Sequence, residues 1–315
     1  MKKTLHMIFM LNFSILSMVI ALASPLVPNE TSLEFQQLIG KLPAGTTHLL
    51  DIAYVPITQR GSKPDSVQKL DLYVPSGKGP FPLVFWIHGG GWHSGGKRES
   101  GIHLALKFLP KGFALASVNY RLSADAPFPA QIQDCNAALS YIRKHADSYR
   151  IAPQRVGVFG HSAGAHLAAL MACAGDSHRF SIEGEPSSRV QAAVFWAIPA
   201  DLDRVRGKWP MASMMFNDEK APLWEFFPNK RYDQAFARMA SPASYVHADI
   251  PPIAMVHGQR DELVPADQAV AFANALKKAG VRLQLRIDPD RGHDVMNAQS
   301  IDDSIVFFTT ILKSH

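Results

Sequence analysis

The segment Gly160-His161-Ser162-Ala163-Gly164 has the composition of a turn that presents a nucleophile. A serine on a tight turn between a strand and a helix projects its hydroxyl outward, and small flanking residues let neighbouring backbone approach closely. The apolar run at 155–159 and the helical run at 166–171 supply that strand and that helix. The sequence therefore predicts that Ser162 is the nucleophile of an acyl-transfer reaction.

A serine hydroxyl is a weak nucleophile at neutral pH, so Ser162 needs a general base, and the base needs a carboxylate to orient it. Among 13 histidines, His293 lies in a loop between the last predicted strand and the last predicted helix. Asp261 follows the predicted strand at 253–256. Open α/β sheets bind ligands at the carboxyl ends of their strands, so we expect Asp261 to orient His293 and His293 to activate Ser162.

Other residues compete for these roles. The alternative acids are Asp201 and Asp203, which follow another predicted strand, and Glu262, which is adjacent to Asp261. Three more histidines have structural interpretations. His161 is the variable residue of the turn, and His257, at a buried strand end, is expected to satisfy core hydrogen bonds. His88 is expected to pack beneath a glycine-rich loop.

That loop, His88-Gly89-Gly90-Gly91-Trp92, directly follows the predicted strand at 83–87. Glycines leave backbone N–H groups free to point at a developing oxyanion, and such donors stabilise a transition state by a few kcal/mol. The alternative is a glycine-rich turn that binds no ligand. Its position upstream of Ser162 favours the oxyanion interpretation.

Alternating strands and helices predict an α/β fold in which helices flank a mostly parallel central sheet of about eight strands. The predicted strands are 51–55, 68–74, 83–87, 113–119, 155–159, 190–197, 253–256 and 281–287, the first two forming a hairpin-like opening. The predicted helices are 102–109, 130–147, 163–173, 265–279 and 301–312. Residues 25–45 have a mixed composition and are expected to cover the edge of the domain.

Residues 201–250 interrupt this alternation without a clear periodic element. The stretch is rich in methionine and aromatic residues, which suits either a lid over a binding site or ordinary packed structure. We expect a short lid-like insertion with an apolar or aromatic acyl site. The candidate substrate-binding residues are Trp92, Trp209, Met214 and Phe216.

The first 23 residues have the pattern of a secretory signal peptide: Lys2 and Lys3, then an apolar run, then the small-x-small sequence Ala21-Leu22-Ala23. Cleavage there leaves residues 24–315 as a single domain, secreted or periplasmic. An uncleaved membrane anchor is the alternative, because the apolar run approaches spanning length. The remaining chain has 30 basic and 27 acidic residues, a balance that indicates no nucleic-acid partner.

Two cysteines, Cys135 and Cys173, are too few for a disulfide framework and are wrongly spaced for a zinc site. Both fall in predicted helices, so buried free thiols are expected, and export would also permit a bond between them. No metal is expected, and the sequence leaves the oligomeric state open.

These motifs together resemble the α/β-hydrolase superfamily. More narrowly, they resemble its esterases with a His-Gly-Gly-Gly motif, the hormone-sensitive-lipase-like and bacterial feruloyl or acetylxylan esterase-like groups. The similarity runs from about residue 51 to the C-terminus and includes segments 68–75, 118–122 and 128–134. It implies a serine carboxylesterase without a cofactor, with Ser162, Asp261 and His293 as its catalytic residues. It also implies an oxyanion hole formed by the N–H groups of Gly90, Gly91 and Ala163.

Two other functions fit the same scaffold, since a fold does not determine a function. One is an amidase or small peptidase, and the other is a binding module without catalysis. A candidate for every catalytic role favours an enzyme. The expected substrate is a small-molecule or polysaccharide-linked ester with a short-chain or aromatic acyl group.

Overall fold

A computed structural model describes residues 33–55, 68–99, 101–175, 180, 186–205, 222–229 and 231–313. Within them, eight strands form one sheet in the order β1-β2-β4-β3-β5-β6-β7-β8. The strands are β1 Thr47–Ala53, β2 Lys69–Val74, β3 Phe81–Ile87, β4 Ala114–Val118, β5 Ile151–His161, β6 Ala192–Trp196, β7 Ile253–Gly258 and β8 Leu283–Asp288. All eight overlap the predicted strands.

The sheet is antiparallel at one edge and parallel elsewhere. β2 pairs antiparallel with both β1 and β4, and every other pairing is parallel. The predicted hairpin-like opening is therefore present as β1 and β2, while its polar turn lies outside the described residues. β4 and β6 are wholly buried, as continuous apolar runs require when helices cover both faces of a sheet.

Seven α-helices are described. They are α1 Leu33–Gly40, α2 Ile102–Ala105, α3 Ala130–Lys144, α4 Ala163–Ala174, α5 Gln234–Ala240, α6 Asp267–Lys278 and α7 Ala298–Leu312. α6 has residues typical of a helix C-terminus, with Lys277 and Lys278 in its last turn and Gly280 beyond it at φ +83°. Among the described residues, no helix is long and apolar enough to span a membrane.

The core has two layers, because side chains of a strand alternate between the faces of the sheet. Leu83, Phe85 and Ile87 of β3 pack with α3, α4 and α6 on one face. Val84 and Trp86 pack with α2 and α7 on the other face. Cys135 and Cys173 lie in the first layer as buried free thiols.

Three segments differ from the sequence prediction. Residues 25–45 contain α1, a short helix that the mixed composition did not indicate. The helix expected at 102–109 is only one α-helical turn, because it continues as the 3-10 helix Leu106–Lys111, which contains Pro110. The insertion at 201–250 contains α5 and the 3-10 helices Asp203–Val205, Pro222–Phe226 and Pro242–Tyr245.

Candidate active site

Ser162 lies on a strained turn between β5 and α4. Its φ of 55° and ψ of −123° lie outside the regions that a non-glycine residue favours, and its N–H donates to the carbonyl of Trp196 at 2.8 Å. A Cβ atom on Gly164 would lie 2.1 Å from the carbonyl oxygen of Ile87. The turn can therefore pack against the end of β3 only with glycine at position 164.

The structure brings Ser162, His293 and Asp261 into one hydrogen-bonded chain. Nε2 of His293 is 2.9 Å from Oγ of Ser162, and its Nδ1 is 2.8 Å from Oδ2 of Asp261. The three residues follow β5, β8 and β7, whose carboxyl ends lie at the same edge of the sheet. The His293 side chain remains 19% exposed, whereas the Asp261 carboxylate is fully buried.

Asp261 is held as a carboxylate. Burial alone raises its pKa, but hydrogen bonds from His257, His293 and the N–H of Val264 together hold the pKa well below its usual range. Oδ1 accepts from the N–H groups of Leu263 at 2.9 Å and Val264 at 2.7 Å. Asp261 is therefore ionised at neutral pH, and its negative charge lies next to His293.

The alternative acids lie elsewhere. Asp203 accepts from the Tyr232 hydroxyl and from Arg238 within the insertion. The Asp201 carboxylate pairs with Arg204. Glu262 is exposed to solvent. Among these carboxylates, only Asp261 is hydrogen-bonded to His293 in the described part of the chain.

The glycine-rich loop lies directly against Ser162. A Cβ atom on Gly89 would lie 3.0 Å from the carbonyl oxygen of His161 and 3.4 Å from the Cβ of Ser162, so glycine at this position lets the loop approach the turn of the nucleophile closely. Gly90 and Gly91 have φ angles of +105° and +59°. Within the described residues, neither of their N–H groups donates to a backbone carbonyl. Ala163 is the first residue of α4, where an N–H has no intrahelical acceptor.

Two histidines support this loop and the turn. His88 stacks on Tyr120 with 4.4 Å between ring centroids, and its Nδ1 is 2.7 Å from the Gly89 carbonyl oxygen. Nε2 of His161 is 3.1 Å from the backbone carbonyl oxygen of His293. Burial lowers the pKa of each to about 4, so both imidazoles are neutral at neutral pH.

A network of ion pairs holds the segment that follows the glycine-rich loop. Nζ of Lys97 is 2.7 Å from a carboxylate oxygen of Asp51 and 2.7 Å from one of Asp71. Nε of Arg98 is 2.6 Å from Asp71, which is fully buried. Asn119 accepts from the N–H of Lys97 at 2.6 Å. Lys97 and Arg98 therefore join the segment after the loop to Asp51 of β1 and Asp71 of β2, and Asn119 joins it to the end of β4.

Trp92 is only 5% exposed. Its Nε1 donates to Nδ1 of His166 at 3.2 Å, and its ring packs on Phe226 with 4.6 Å between centroids. Phe226 belongs to the insertion and is fully buried, so it anchors this segment beside the glycine-rich loop. The other predicted substrate-binding residues lie outside the described residues: Trp209, Met214 and Phe216.

Comparison with known proteins identifies the family of this chain. A family model described as BD-FAE matches residues 70–276, which include Ser162 and Asp261. The chain belongs to the BD-FAE family. The matched region ends before His293, so the place of this residue rests on its hydrogen bonds.

Similar proteins are named as esterases. The chain is 34% identical over 203 residues to "Esterase LipQ" of Mycobacterium tuberculosis, covering 63% of this chain and 46% of that protein. It is 33% identical over 204 residues to "Probable carboxylic ester hydrolase LipM" of the same organism, covering 64% of this chain and 46% of LipM. The chain thus spans about half the length of the curated relatives that it matches.

Solved structures share the whole fold. A "Truncated form of carbohydrate esterase from gut microbiota" is 28% identical with a TM-score of 0.72, over 85% of this chain and 97% of that one. An "acetyl ester-xyloside bifunctional hydrolase from Caldicellulosiruptor lactoaceticus" is 22% identical with a TM-score of 0.69, over 86% of this chain and 98% of that one. The BD-FAE chain therefore has the α/β-hydrolase fold.

Sequence reasoning missed two contributors to this BD-FAE site, His166 and Phe226, which pack around Trp92. It assigned His257 to core hydrogen bonds, which the bond to the Val264 carbonyl confirms, but it did not predict the contact of His257 with the Asp261 carboxylate. The position of His166, four residues after Ser162, places it one helical turn away, a signal that could have marked it. Nothing in the sequence indicates the contact of Phe226, because it joins segments far apart in the chain.

Proposed function

We propose that this chain is an exported serine hydrolase that cleaves carboxylic esters through an acyl-enzyme intermediate. The observation that carries the proposal is the hydrogen-bonded chain from Ser162 through His293 to Asp261, at the carboxyl ends of three parallel strands. The named esterases among its relatives support the same chemistry.

The geometry supports the following acylation step. Nε2 of His293 takes the proton of the Ser162 hydroxyl as Oγ forms a bond to the ester carbonyl carbon. The carbonyl π electrons move to its oxygen, and the N–H groups of Gly90, Gly91 and Ala163 stabilise that oxyanion. Its collapse breaks the bond to the alcohol oxygen, which receives the proton from His293.

Deacylation repeats these steps with water. His293 removes a proton from water as its oxygen bonds to the acyl carbon, and the second oxyanion collapses with release of Ser162 Oγ, which regains the proton. Asp261 stays ionised throughout, because its surroundings hold its pKa well below the usual range. Its role is to orient the imidazole and stabilise the imidazolium.

A substitution at Ser162 tests the mechanism. Ser162→Ala removes the nucleophile and leaves the fold intact, so we expect kcat for a nitrophenyl ester to fall by about 10⁴- to 10⁶-fold. Ester hydrolysis and unfolding by urea are measured on both proteins. A loss below tenfold in a folded Ser162→Ala variant would refute the assignment of the nucleophile.

The preferred substrates are short-chain or aromatic acyl esters in this proposal. An apolar acyl site discriminates weakly between chain lengths, by about 1–3 kcal/mol per methylene. We therefore expect a gradual decline in kcat/KM along nitrophenyl esters of increasing acyl length. The same panel includes methyl ferulate, acetylated xylan and an anilide. Faster turnover of the anilide than of every ester would contradict the ester preference and favour an amidase.

Export is part of the proposal and rests on the pattern of residues 1–23. Signal-peptide cleavage after Ala23 leaves Ser24 as the first residue. Intact-mass analysis of the protein from the medium or the periplasm should give a chain that begins there. Recovery of the chain with Met1–Ala23 attached in the membrane fraction would contradict export by cleavage.

A further inference from the structure

A second histidine contacts the carboxylate that binds His293. His257 lies in β7 with a fully buried side chain. Its Nε2 is 2.7 Å from the carbonyl oxygen of Val264 and 3.3 Å from Oδ2 of Asp261. Its Nδ1 is buried and has no hydrogen-bond partner within the described residues. A carbonyl and a carboxylate only accept, so Nε2 carries the proton that faces them.

The two groups next to Nε2 of His257, the Val264 carbonyl and the Asp261 carboxylate, belong to one turn. The bonds from the N–H groups of Leu263 and Val264 to Oδ1 of Asp261 close this turn from inside. They do not touch Oδ2, the oxygen that binds His293. In the described residues, Nε2 of His257 is the other side-chain nitrogen close to Oδ2, at 3.3 Å, and its hydrogen bond to the Val264 carbonyl ties the far end of the turn to β7.

We propose that His257 is a positioning residue, whose Nε2–H holds Oδ2 of Asp261 in line with Nδ1 of His293. The inference rests on the proposed ester hydrolysis and deepens it. A purely structural histidine would tie Val264 to the sheet and contribute to stability. A positioning histidine also affects the chemical step, because a displaced carboxylate leaves the imidazole less well oriented toward Ser162.

Two amide substitutions separate these roles. In His257→Gln the amide nitrogen can take the place of Nε2 as the donor. In His257→Asn the amide nitrogen reaches only as far as Nδ1 does, so it cannot contact Asp261. His257→Leu removes the donor altogether. His247→Leu is the control, since His247 also contacts a backbone carbonyl, that of Cys173, away from Asp261.

We measure kcat and KM for a nitrophenyl ester, and normalise kcat to the amplitude of the acylation burst so that unfolded molecules do not count. Loss of one hydrogen bond to a charged group corresponds to a decrease of about 10- to 100-fold. We expect that decrease in kcat for His257→Asn and His257→Leu, with KM within about twofold. His257→Gln should retain kcat within about threefold, because it restores the donor.

A second readout monitors the pair directly. The proton between His293 and Asp261 gives a low-field NMR resonance, which should persist in His257→Gln and shift or broaden in His257→Asn. This comparison holds without the Leu variant if that variant does not fold. Equal kcat in the Gln and Asn variants, or an unchanged resonance in both, would overturn the proposal. So would a decrease in stability alone.

These outcomes differ from a failure of the proposed function. If Ser162→Ala abolishes ester hydrolysis while His257→Asn keeps full kcat, the esterase mechanism stands and the role of His257 is wrong. If the wild-type chain hydrolyses no ester, or Ser162→Ala retains its rate, the proposed function fails and the inference on His257 fails with it.

Discussion

At the scale of single residues, the site depends on a carboxylate that hydrogen-bond donors surround without exposure to solvent. Asp261 receives hydrogen bonds from two backbone N–H groups and from His293, and Nε2 of His257 lies 3.3 Å from its Oδ2. Burial makes a lone carboxylate costly, and these neighbours offset that cost. The same donors fix its orientation, so the side chain has little freedom to point away from His293.

Replacement of Asp261 by asparagine tests this arrangement. Asp261→Asn keeps the size, removes the charge and leaves His293 without its orienting acceptor, so kcat should fall by about 10³- to 10⁴-fold. Steady-state kinetics on a nitrophenyl ester measures the effect, with Asp201→Asn as the matched control, expected to retain kcat within about threefold. Full activity in Asp261→Asn together with collapse in Asp201→Asn would show that Asp201 is the acid.

At the scale of elements, a network of charges holds the segment that follows the glycine-rich loop. Lys97 and Arg98 are buried against Asp51 and Asp71, and the Arg98 guanidinium also lies over the Phe35 ring at 4.6 Å. α1 therefore covers the network from outside. Buried ions are stable only as a complete set, because removal of one partner leaves an uncompensated charge in the interior.

The loss of one anion should therefore destabilise the protein strongly. Asp71→Asn leaves two buried cations facing one carboxylate, and we expect the free energy of unfolding to decrease by about 3–5 kcal/mol. Asp290→Asn breaks the exposed pair with Arg260 and should change it by less than about 1 kcal/mol. Urea unfolding compares the two. Similar small effects in both variants would contradict a supporting role for the network.

The loop that carries His293 depends on a close backbone approach. A Cβ atom on Gly258, at the end of β7, would lie 2.1 Å from the carbonyl oxygen of Gly292. Gly258→Ala should therefore displace His293 and lower kcat by about tenfold to a hundredfold. Gly40→Ala is the control, since nothing lies within 4 Å of its Cβ position. Unchanged kcat in Gly258→Ala would show that the loop can yield without moving the imidazole.

At the scale of the whole molecule, three buried neutral histidines couple folding to pH. Burial lowers the pKa of His88, His161 and His166 to about 4, whereas histidines in the unfolded chain have pKa values near about 6.5. Between these values the unfolded chain binds more protons than the folded protein. Their contribution to stability is therefore fully present above about pH 6.5 and is lost as the pH falls toward about 4.

The expected result is a decrease in the free energy of unfolding below about pH 6.5, of up to about 1.4 kcal/mol per pH unit for each histidine. Urea unfolding at pH 7, 6 and 5 measures the slope. His88→Gln should reduce this slope by the contribution of one histidine, up to about 1.4 kcal/mol per pH unit. His103→Gln, at an exposed position, should leave the slope unchanged. A free energy of unfolding that is constant from pH 7 to 5 would contradict this coupling.

Local patterns were sufficient to predict the main elements. The sequence patterns predicted all eight strands, and the helix predicted at 265–279 is present as α6. The segment around Ser162 predicted a strand, a turn and a helix, and the structure contains them as β5, the turn and α4. These features depend on neighbours within a few residues, so one stretch of sequence contains the information. α1 and α5 were missed because they have only 8 and 7 residues, and helices this short depend on tertiary packing for their stability.

The geometry of the active site depends on contacts between residues that are far apart in the chain. His293 is 131 residues from Ser162, and the choice of Asp261 over Asp201 follows from where β7 and β8 end in the sheet. Sequence spacing could nominate these residues, but the roles given to them are proposals for the substitutions above to test. The position of Phe226 beside Trp92 and the charges behind the loop were unpredictable from local patterns. Burial and hydrogen bonding between distant segments form only when the whole sheet assembles and brings those segments together.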